Sequence, residues 1–270
     1  MALSQHASIQ VRFDQQYENA KTYLLPFINT ESPISEDTRI LEIGAGEGGV
    51  LKPFWEAGAS IMGVDLSESR IANANELMKE SVASGKATFL VKNVYDEDFV
   101  AQYANSFDII LLKDTIEHIP DQNKFLGHIS QLLTKHGKLF LGFPPWRMPF
   151  GGHQQIATNK WLSKLPYYHL LPRKVYEGVL RKGGESDRVV QELLEIKDTG
   201  ISIQQLERYL KRNNYRILKR ELFLFNPIYK YKFGLKPRKQ IPLLRSIPIL
   251  RDWFTTAAWY VVSHKNGEEG

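Results

Sequence analysis

The chain has 270 residues, 43% of them hydrophobic and 24% charged, a globular balance that can build a sizeable core and confines disorder to the ends. It contains no cysteine, which excludes a disulfide framework, cysteine-ligated zinc and iron–sulfur chemistry, and fits a cytoplasmic protein. The net charge of +5 is uneven, with about −7 over residues 1–143 and about +12 over residues 144–270. The second half therefore offers either a solvated basic surface or a face for an anionic partner such as a phosphorylated substrate, lipid headgroups or nucleic acid.

Met1 to Gln10 lacks a basic region followed by an apolar run, so no signal peptide is expected. No stretch reaches the ~18 apolar residues of a membrane span. Residues 9–28, with Ile9, Phe13, Tyr17, Tyr23, Leu24 and Phe27, predict an amphipathic helix ending near Pro26. A short apolar strand, Arg39–Ile43, runs into the glycine-rich stretch 44–49, and a helix from Val50 to Ala57 stops at Gly58. Ser60–Val64 is the second strand, and Ser67 caps a helix from Glu68 to about Ser84. Thr88–Lys92 and Phe107–Leu112 are the third and fourth strands, the latter apolar throughout as a strand buried on both faces should be. A helix from Asp121 or Gln122 to Lys135, a turn at Gly137 and a fifth strand at Lys138–Phe143 complete the rhythm.

Strands alternating with helices predict an α/β fold. It is a Rossmann-like, doubly wound sheet, mostly parallel, because each parallel pair needs a crossover. The rhythm breaks at Pro144 to His153, a Pro/Gly segment that cannot form a regular element. Residues 154–198 are aromatic-rich and partly helical; Ser202 then caps a helix to Asn213, and Tyr215–Phe225 and Ala257–His264 are strands, the last antiparallel. Four units follow: an N-terminal helical cap (1–37), a ligand-binding core (38–143), an aromatic insertion after the fifth strand expected to bind the acceptor (144–200), and a completion of the sheet with a basic, Pro-rich loop (201–270).

Leu41-Glu42-Ile43-Gly44-Ala45-Gly46-Glu47-Gly48-Gly49 is the most informative stretch. Glycines between strand and helix permit a tight turn and leave no Cβ to block a ligand. Alone the pattern satisfies both GxGxG and the dinucleotide GxGxxG. Glu42, two residues before the first glycine, would repel a pyrophosphate and attract a ligand bearing an ammonium. Asp65, ending the second strand, is placed to accept hydrogen bonds from ribose hydroxyls. Asn93, just past the third strand, could meet an adenine edge through its amide or serve as a plain turn residue.

Leu41–Gly49, Val64-Asp65, Lys92-Asn93-Val94 and Ser106-Phe107-Asp108 through Lys113-Asp114-Thr115-Ile116-Glu117-His118-Ile119-Pro120 together resemble the successive motifs of class I S-adenosylmethionine (SAM)-dependent methyltransferases. The resemblance is strongest to the ubiquinone/menaquinone-biosynthesis type and covers about residues 38–143. It implies SAM as cofactor, with Glu42, Gly44, Ala45 and Gly46 lining its methionine portion, and Asp65 on the ribose. Leu66 would pack on the adenine, Asn93 and the Val94 backbone would meet the adenine edge, and Lys113 would contribute its carbonyl. Two departures stand out: Asn93 replaces the usual acid, and Lys113 replaces a small residue and is expected to turn its side chain away from the sulfonium. The family often closes its site with an aromatic from an N-terminal helix, so Tyr17 and Phe13 are candidates.

Methyl transfer from a sulfonium is an in-line displacement in which the protein chiefly positions the nucleophile; an oxygen acceptor also needs a base. Asp114, His118 and His153 are the candidate catalytic residues. Asp114 and His118, four apart, would share a helical face at the C-terminal edge of the sheet, and His153 falls in the Pro/Gly segment at the same edge. Glu117 reads as structural. No cluster shows metal-ligand spacing, so no metal is expected.

Trp146, Phe150, Trp161, Tyr167, Tyr168, His169 and Tyr176 form either an aromatic wall for an apolar acceptor or the insertion's own core. The stretch from Ile241 to Ala257 mixes Arg with large apolar residues, which fits packing within the fold, closure over an apolar substrate, or contact at a membrane surface. The function expected is methyl transfer to a small-molecule or lipid-like acceptor, with an anionic acceptor compatible with the basic half. The alternatives are a nucleic-acid methyltransferase, suggested only by that basic half, an NAD-dependent oxidoreductase resting on GxGxxG, and a non-catalytic SAM-binding module. Phe143-Pro144-Pro145-Trp146 only partly matches an amine-methylation signature, because Phe stands where the acid or amide belongs.

Overall fold

The computed structural model describes residues 8–265; the signal-peptide expectation for Met1–Gln10 rests mostly on residues outside that range. Five strands follow the predicted alternation: β1 (Arg39–Ile43), β2 (Ser60–Asp65), β3 (Ala87–Val91), β4 (Phe107–Lys113) and β5 (Leu133–Phe143). They pair in parallel in the order β3-β2-β1-β4-β5. The chain returns as β6 (Tyr215–Phe225), the two-residue β7 (Arg238–Lys239) and β8 (Ala257–His264), giving the order β3-β2-β1-β4-β5-β8-β6-β7. β8 runs antiparallel to both β5 and β6. The antiparallel last strand is therefore an interior one, and Ala257–Val262 is accordingly buried at every residue.

Because the strand order reverses at β1, the connections leaving β1 and β4 diverge to opposite faces and open a crevice at the strand C-termini. Everything the candidate site needs sits at that edge.

The first helical region runs as α1 (Ile9–Asn19), a π-helical turn (Ala20–Leu24) and α2 (Leu25–Asn29). It does not end at Pro26. Pro26 falls in the first turn of α2, where its missing N–H leaves little unpaired. Crossovers are α3 (Lys52–Glu56), α4 (Glu68–Leu77), α5 (Lys79–Ala83), α6 (Glu97–Tyr103) and α7 (Gln122–Ile129). Ser67 caps α4, its hydroxyl accepting from the Arg70 N–H, but the expected run to Ser84 breaks at Met78. The helix expected to reach Lys135 stops at Ile129. Leu133 is already in β5, buried and paired with Phe107, so sheet pairing overrides the local helical pattern there, and Gly137 lies within the strand.

After β5 come α8 (Arg173–Lys182) and α9 (Asp187–Thr199), which close a small core of their own around Tyr168, Tyr176, Leu180 and Leu193. α10 (Ile203–Arg212), capped by Ser202, turns Ile203, Leu206 and Leu210 into the main core under the sheet. Each such buried side chain contributes roughly 1.5–3 kcal/mol. The basic, Pro-rich stretch holds α11 (Tyr229–Phe233), α12 (Pro242–Ser246) and α13 (Pro248–Trp253). Among the described residues no helix is long and apolar enough to cross a membrane.

Candidate active site at the sheet switch point

The turn after β1 is held in a shape that glycine adopts without strain: Gly44, Gly46 and Gly48 have φ of +77°, +54° and +82°. The N–H groups of Gly44 and Ala45 donate to the Val64 carbonyl at 2.8 and 3.0 Å, locking the turn to β2. Thr115 closes the other side, its hydroxyl donating to the Ile43 carbonyl at 3.1 Å. A Cβ on Gly44 would stand 2.7 Å from that hydroxyl oxygen. α1 lies directly on the turn, so a Cβ on Gly49 would come within 2.6 Å of the Phe13 carbonyl oxygen. Arg12 and Glu47 form an ion pair at 2.7 Å across the same contact. Between helix and turn lies a cavity of about 240 Å³ bounded by Phe13, Gln16, Glu42, the Gly44–Gly46 backbone, Lys113 and Asp114.

Glu42 is the most perturbed group on this wall. It is buried, its Oε2 has no hydrogen-bond partner, and burial drives its pKa well above the usual carboxylate range, against the pull of Lys113 and with the push of Asp65 and Asp114. Asp65 accepts from the Gly46 N–H at 3.0 Å and the Ser67 N–H at 2.9 Å, so its carboxylate is fixed at the turn. Leu66 is 73% exposed beside it. Asn93 is exposed and its amide oxygen accepts from the Tyr95 N–H at 3.1 Å, while the Val94 carbonyl accepts from His128 Nε2 at 2.7 Å.

Two expectations need correction. Tyr17 does not line the cavity: its hydroxyl donates to Glu56 at 2.9 Å, accepts from Lys21 at 2.8 Å, and its ring lies under Lys52. Phe13, one turn earlier and 4% exposed, takes that place. Lys113 does not turn away. Its side chain is buried on the cavity wall, and its ammonium is neutralised by the adjacent carboxylate of Asp114.

Asp114 has φ of +54°, and its N–H donates to the Gly142 carbonyl at 2.7 Å. The helix-face argument for Asp114 and His118 therefore fails, because Asp114 is left-handed and only Ile116–His118 forms a 3₁₀ turn. The fold still assembles the cluster. His118 and His153 stack edge-to-face with ring centroids 5.1 Å apart. Desolvation lowers the pKa of His118 and takes that of His153 to about 4, His118 adding to the depression of His153 while Asp114 opposes both shifts. Glu117, expected to be structural, is 4% exposed and neither carboxylate oxygen has a partner in another residue. Tyr229 and Lys232 of α11 reach Asp114 electrostatically, and partial burial pushes Tyr229 up to about 12. Sequence reasoning missed both, since they lie more than a hundred residues downstream with no motif around them.

Only part of the aromatic wall is the insertion's own core. Tyr168 and Tyr176 are buried within it, and Trp161 is 86% exposed. His169 is sealed between Gln154 Nε2 at 2.7 Å and the Trp146 carbonyl at 2.8 Å. The second cavity, about 540 Å³, is instead bounded by His118, Ile156, Ile196, Glu192, Glu195 and Asp198.

A glycine turn at the switch point, a buried acid before it and an acid ending β2 define a SAM-binding methyltransferase of the Rossmann-like class. Residues 14–182 match the family described as a methyltransferase domain, which is more than half the chain, and the chain belongs to that family; its cofactor is SAM. The chain is 33% identical over 102 residues to the ubiquinone biosynthesis O-methyltransferase of Aromatoleum aromaticum (38% of this chain, 42% of the relative). It is 28% identical over 172 residues to that of Rhizobium johnstonii (63% and 66%). The matches thus span about two fifths to two thirds of these relatives' length. The geranyl diphosphate C-methyltransferase of Streptomyces coelicolor superposes with a TM-score of 0.56 at 14% identity, over 88% of this chain and 75% of that one. The magnesium protoporphyrin IX methyltransferase of Synechocystis gives 0.53 at 15%, over 94% and 85%. At such identity these likenesses establish the fold.

Proposed function

We propose that this protein transfers a methyl group from SAM to a hydroxyl of a small-molecule acceptor. The observation that carries the reading is Glu42: a buried carboxylate with an unpaired oxygen on the wall of the cavity that the Gly44–Gly46 turn bounds. That donor set suits a cationic amino-acid portion and opposes a diphosphate. Glu42 and the Gly44-Ala45-Gly46 backbone would hold the methionine end, with Phe13 and Lys113 closing it. Asp65 would take the ribose, its two oxygens keeping free lone pairs beyond the backbone bonds. Leu66, Asn93 and Val94 border the expected adenine position. Bound SAM supplies the electrophilic methyl group; the chain's own task is to position the acceptor and manage its proton.

Asp114, on the first cavity, and His118, on the larger one, would serve the acceptor side, with His153 packed against His118. The relatives' O-methyltransferase activity supports a hydroxyl acceptor. The larger cavity's Glu192, Glu195 and Asp198 would repel a phosphate backbone, which disfavours a nucleic-acid substrate. The insertion (144–200) serves as the acceptor-binding unit through Ile156, Ile196 and their neighbours.

Calorimetry with SAM and NADH tests the cofactor assignment, and methyl transfer from labelled SAM to a panel of small hydroxylated aromatics tests the reaction. Binding of NADH without SAM would overturn the assignment. SAM binding with no transfer to any acceptor would leave a binding module.

A second reading concerns where the enzyme works. Phe233, Leu235, Ile241, Leu243 and Phe254 are exposed among Lys236, Arg238, Lys239 and Arg245. Apolar side chains interleaved with cations suit the surface of an anionic bilayer and contact without insertion.

A further inference from the structure

The larger cavity is walled by carboxylates although it lies largely in the basic half of the chain. α9 brings Glu192, Glu195 and Ile196 to it at helical spacing, Asp198 stands near the end of that helix, and Asp121 bounds the cavity from the cap of α7. Ile156 and Ile196 supply apolar surface, and among the described residues no lysine or arginine bounds the cavity. Of the four acids only Asp198 has an ion-pair partner among the described residues, Arg173 at 2.5 Å. The charges of Asp121, Glu192 and Glu195 are thus left uncompensated around one space. Its volume of about 540 Å³ falls within the roughly 300–1,000 Å³ of small-molecule sites.

Glu117 is an independent sign of a missing positive charge. It is 4% exposed, and neither carboxylate oxygen has a partner in another residue. A buried carboxylate left so is costly unless a cation comes near. One of its oxygens lies within 4.8 Å of a ring nitrogen of His118, and its carbonyl accepts from the Thr199 hydroxyl at 2.6 Å. Both His118 and Thr199 bound the larger cavity, so Glu117 stands directly behind its wall.

We infer that the larger cavity takes an acceptor that is an organic cation, with an apolar body against Ile156 and Ile196, an ammonium toward Glu192, Glu195 and Asp121, and its hydroxyl at His118. His118 closely follows Asp114, which bounds the cofactor cavity, so the reacting hydroxyl belongs at that end. An ammonium entering this wall relieves the mutual repulsion of the acids and gains charge-assisted contacts. An anionic acceptor, which the net charge of +5 would favour, meets repulsion here instead. The assignment deepens the methyl-transfer reading and rests on it: that reading leaves the acceptor's charge open, and the cavity wall makes it positive.

The test uses three phenols of one shape and different charge: tyramine, 4-ethylphenol and 4-hydroxyphenylacetate. Each is titrated into the full chain saturated with S-adenosylhomocysteine, with a chelator present so that no metal ion carries the difference. Tyramine should bind at least about tenfold more tightly than 4-ethylphenol, with 4-hydroxyphenylacetate the weakest. In Glu192→Gln/Glu195→Gln the advantage of tyramine should vanish while affinity for S-adenosylhomocysteine is kept, which shows that the fold is intact. A neutral or anionic phenol that binds as well as tyramine overturns the assignment. So does a preference that persists in the double variant, and so does failure of all three to bind at millimolar concentration in a chain that binds S-adenosylhomocysteine. An unaltered chain that binds neither SAM nor S-adenosylhomocysteine overturns the methyltransferase reading instead. If the double variant fails to fold, the Ile156 and Ile196 methyl resonances of the unaltered chain decide: shifts on adding tyramine put it in the cavity, and unshifted methyls refute the assignment.

Discussion

At the residue scale, the site combines a left-handed glycine turn with a buried acid. Glu42 is held well above the usual carboxylate range, so the unfolded chain gives up its proton first as pH rises. Its contribution is present below the ordinary carboxylate pKa and is lost as pH rises toward the elevated value. Glu42→Gln should therefore leave the ligand-free protein at least as stable above pH ~5, while weakening SAM binding about 10- to 100-fold through loss of a charge-assisted contact. Unfolding curves with pH and calorimetry check both; unchanged SAM affinity would remove Glu42 from the cofactor site. Gly44→Ala should destabilise by more than the ~1–2 kcal/mol of a left-handed residue, because the added methyl also meets Thr115. Gly85→Ala, at φ +74° with nothing within 4 Å, isolates the strain alone. Equal losses in the two variants would refute the clash. The glycines, Glu42 and Asp65 were legible in the sequence because turn chemistry and strand ends are local. The side-chain positions of Tyr17 and Lys113 were not, since a hydrogen bond to Glu56 and an ion pair with Asp114 decided them.

At the element scale, the expected strands appeared wherever apolar runs were bounded by turns, and errors fell where an element could end in two ways. α7 stopped early because Leu133 pairs into the sheet, and the first helix passed Pro26 because a π turn preceded it. The insertion is held by α8, α9 and a buried histidine. His169 accepts from Gln154 and donates to the Trp146 carbonyl, which requires the neutral ring, and burial takes its pKa down to about 4. A base so depressed lends stability that is full above the ordinary histidine range, near pH 6.5, and is lost as pH falls toward 4. The loss is on the order of 3 kcal/mol at most. His169→Gln should flatten the acid limb of thermal unfolding between those values and reduce proton uptake on unfolding by about one. An acid limb identical to that of the unaltered protein would show that the ring carries no such burden.

At the scale of the whole molecule, the negative first half carries most of the candidate cofactor cavity and the positive second half carries α11–α13. Sedimentation with vesicles rich in an anionic lipid should retain the protein at low salt and release it as salt rises past a few hundred millimolar, with zwitterionic vesicles retaining little. Leu243→Glu, at a 72% exposed position, should weaken retention without changing SAM affinity. Equal retention on both vesicle types at high salt would contradict an electrostatic contact. By itself the sequence determined the doubly wound sheet, the glycine turn and the cofactor class, because these depend on hydrophobic period, turn residues and charges within a few positions of one another. Only the tertiary structure decided which helix covers the candidate cofactor cavity, that Tyr168 and Tyr176 turn into the insertion's core, and that Glu117, His118, His153 and α11 converge. Most of those contacts join segments tens of residues apart in sequence, and no local preference encodes a meeting that sheet order and burial bring about.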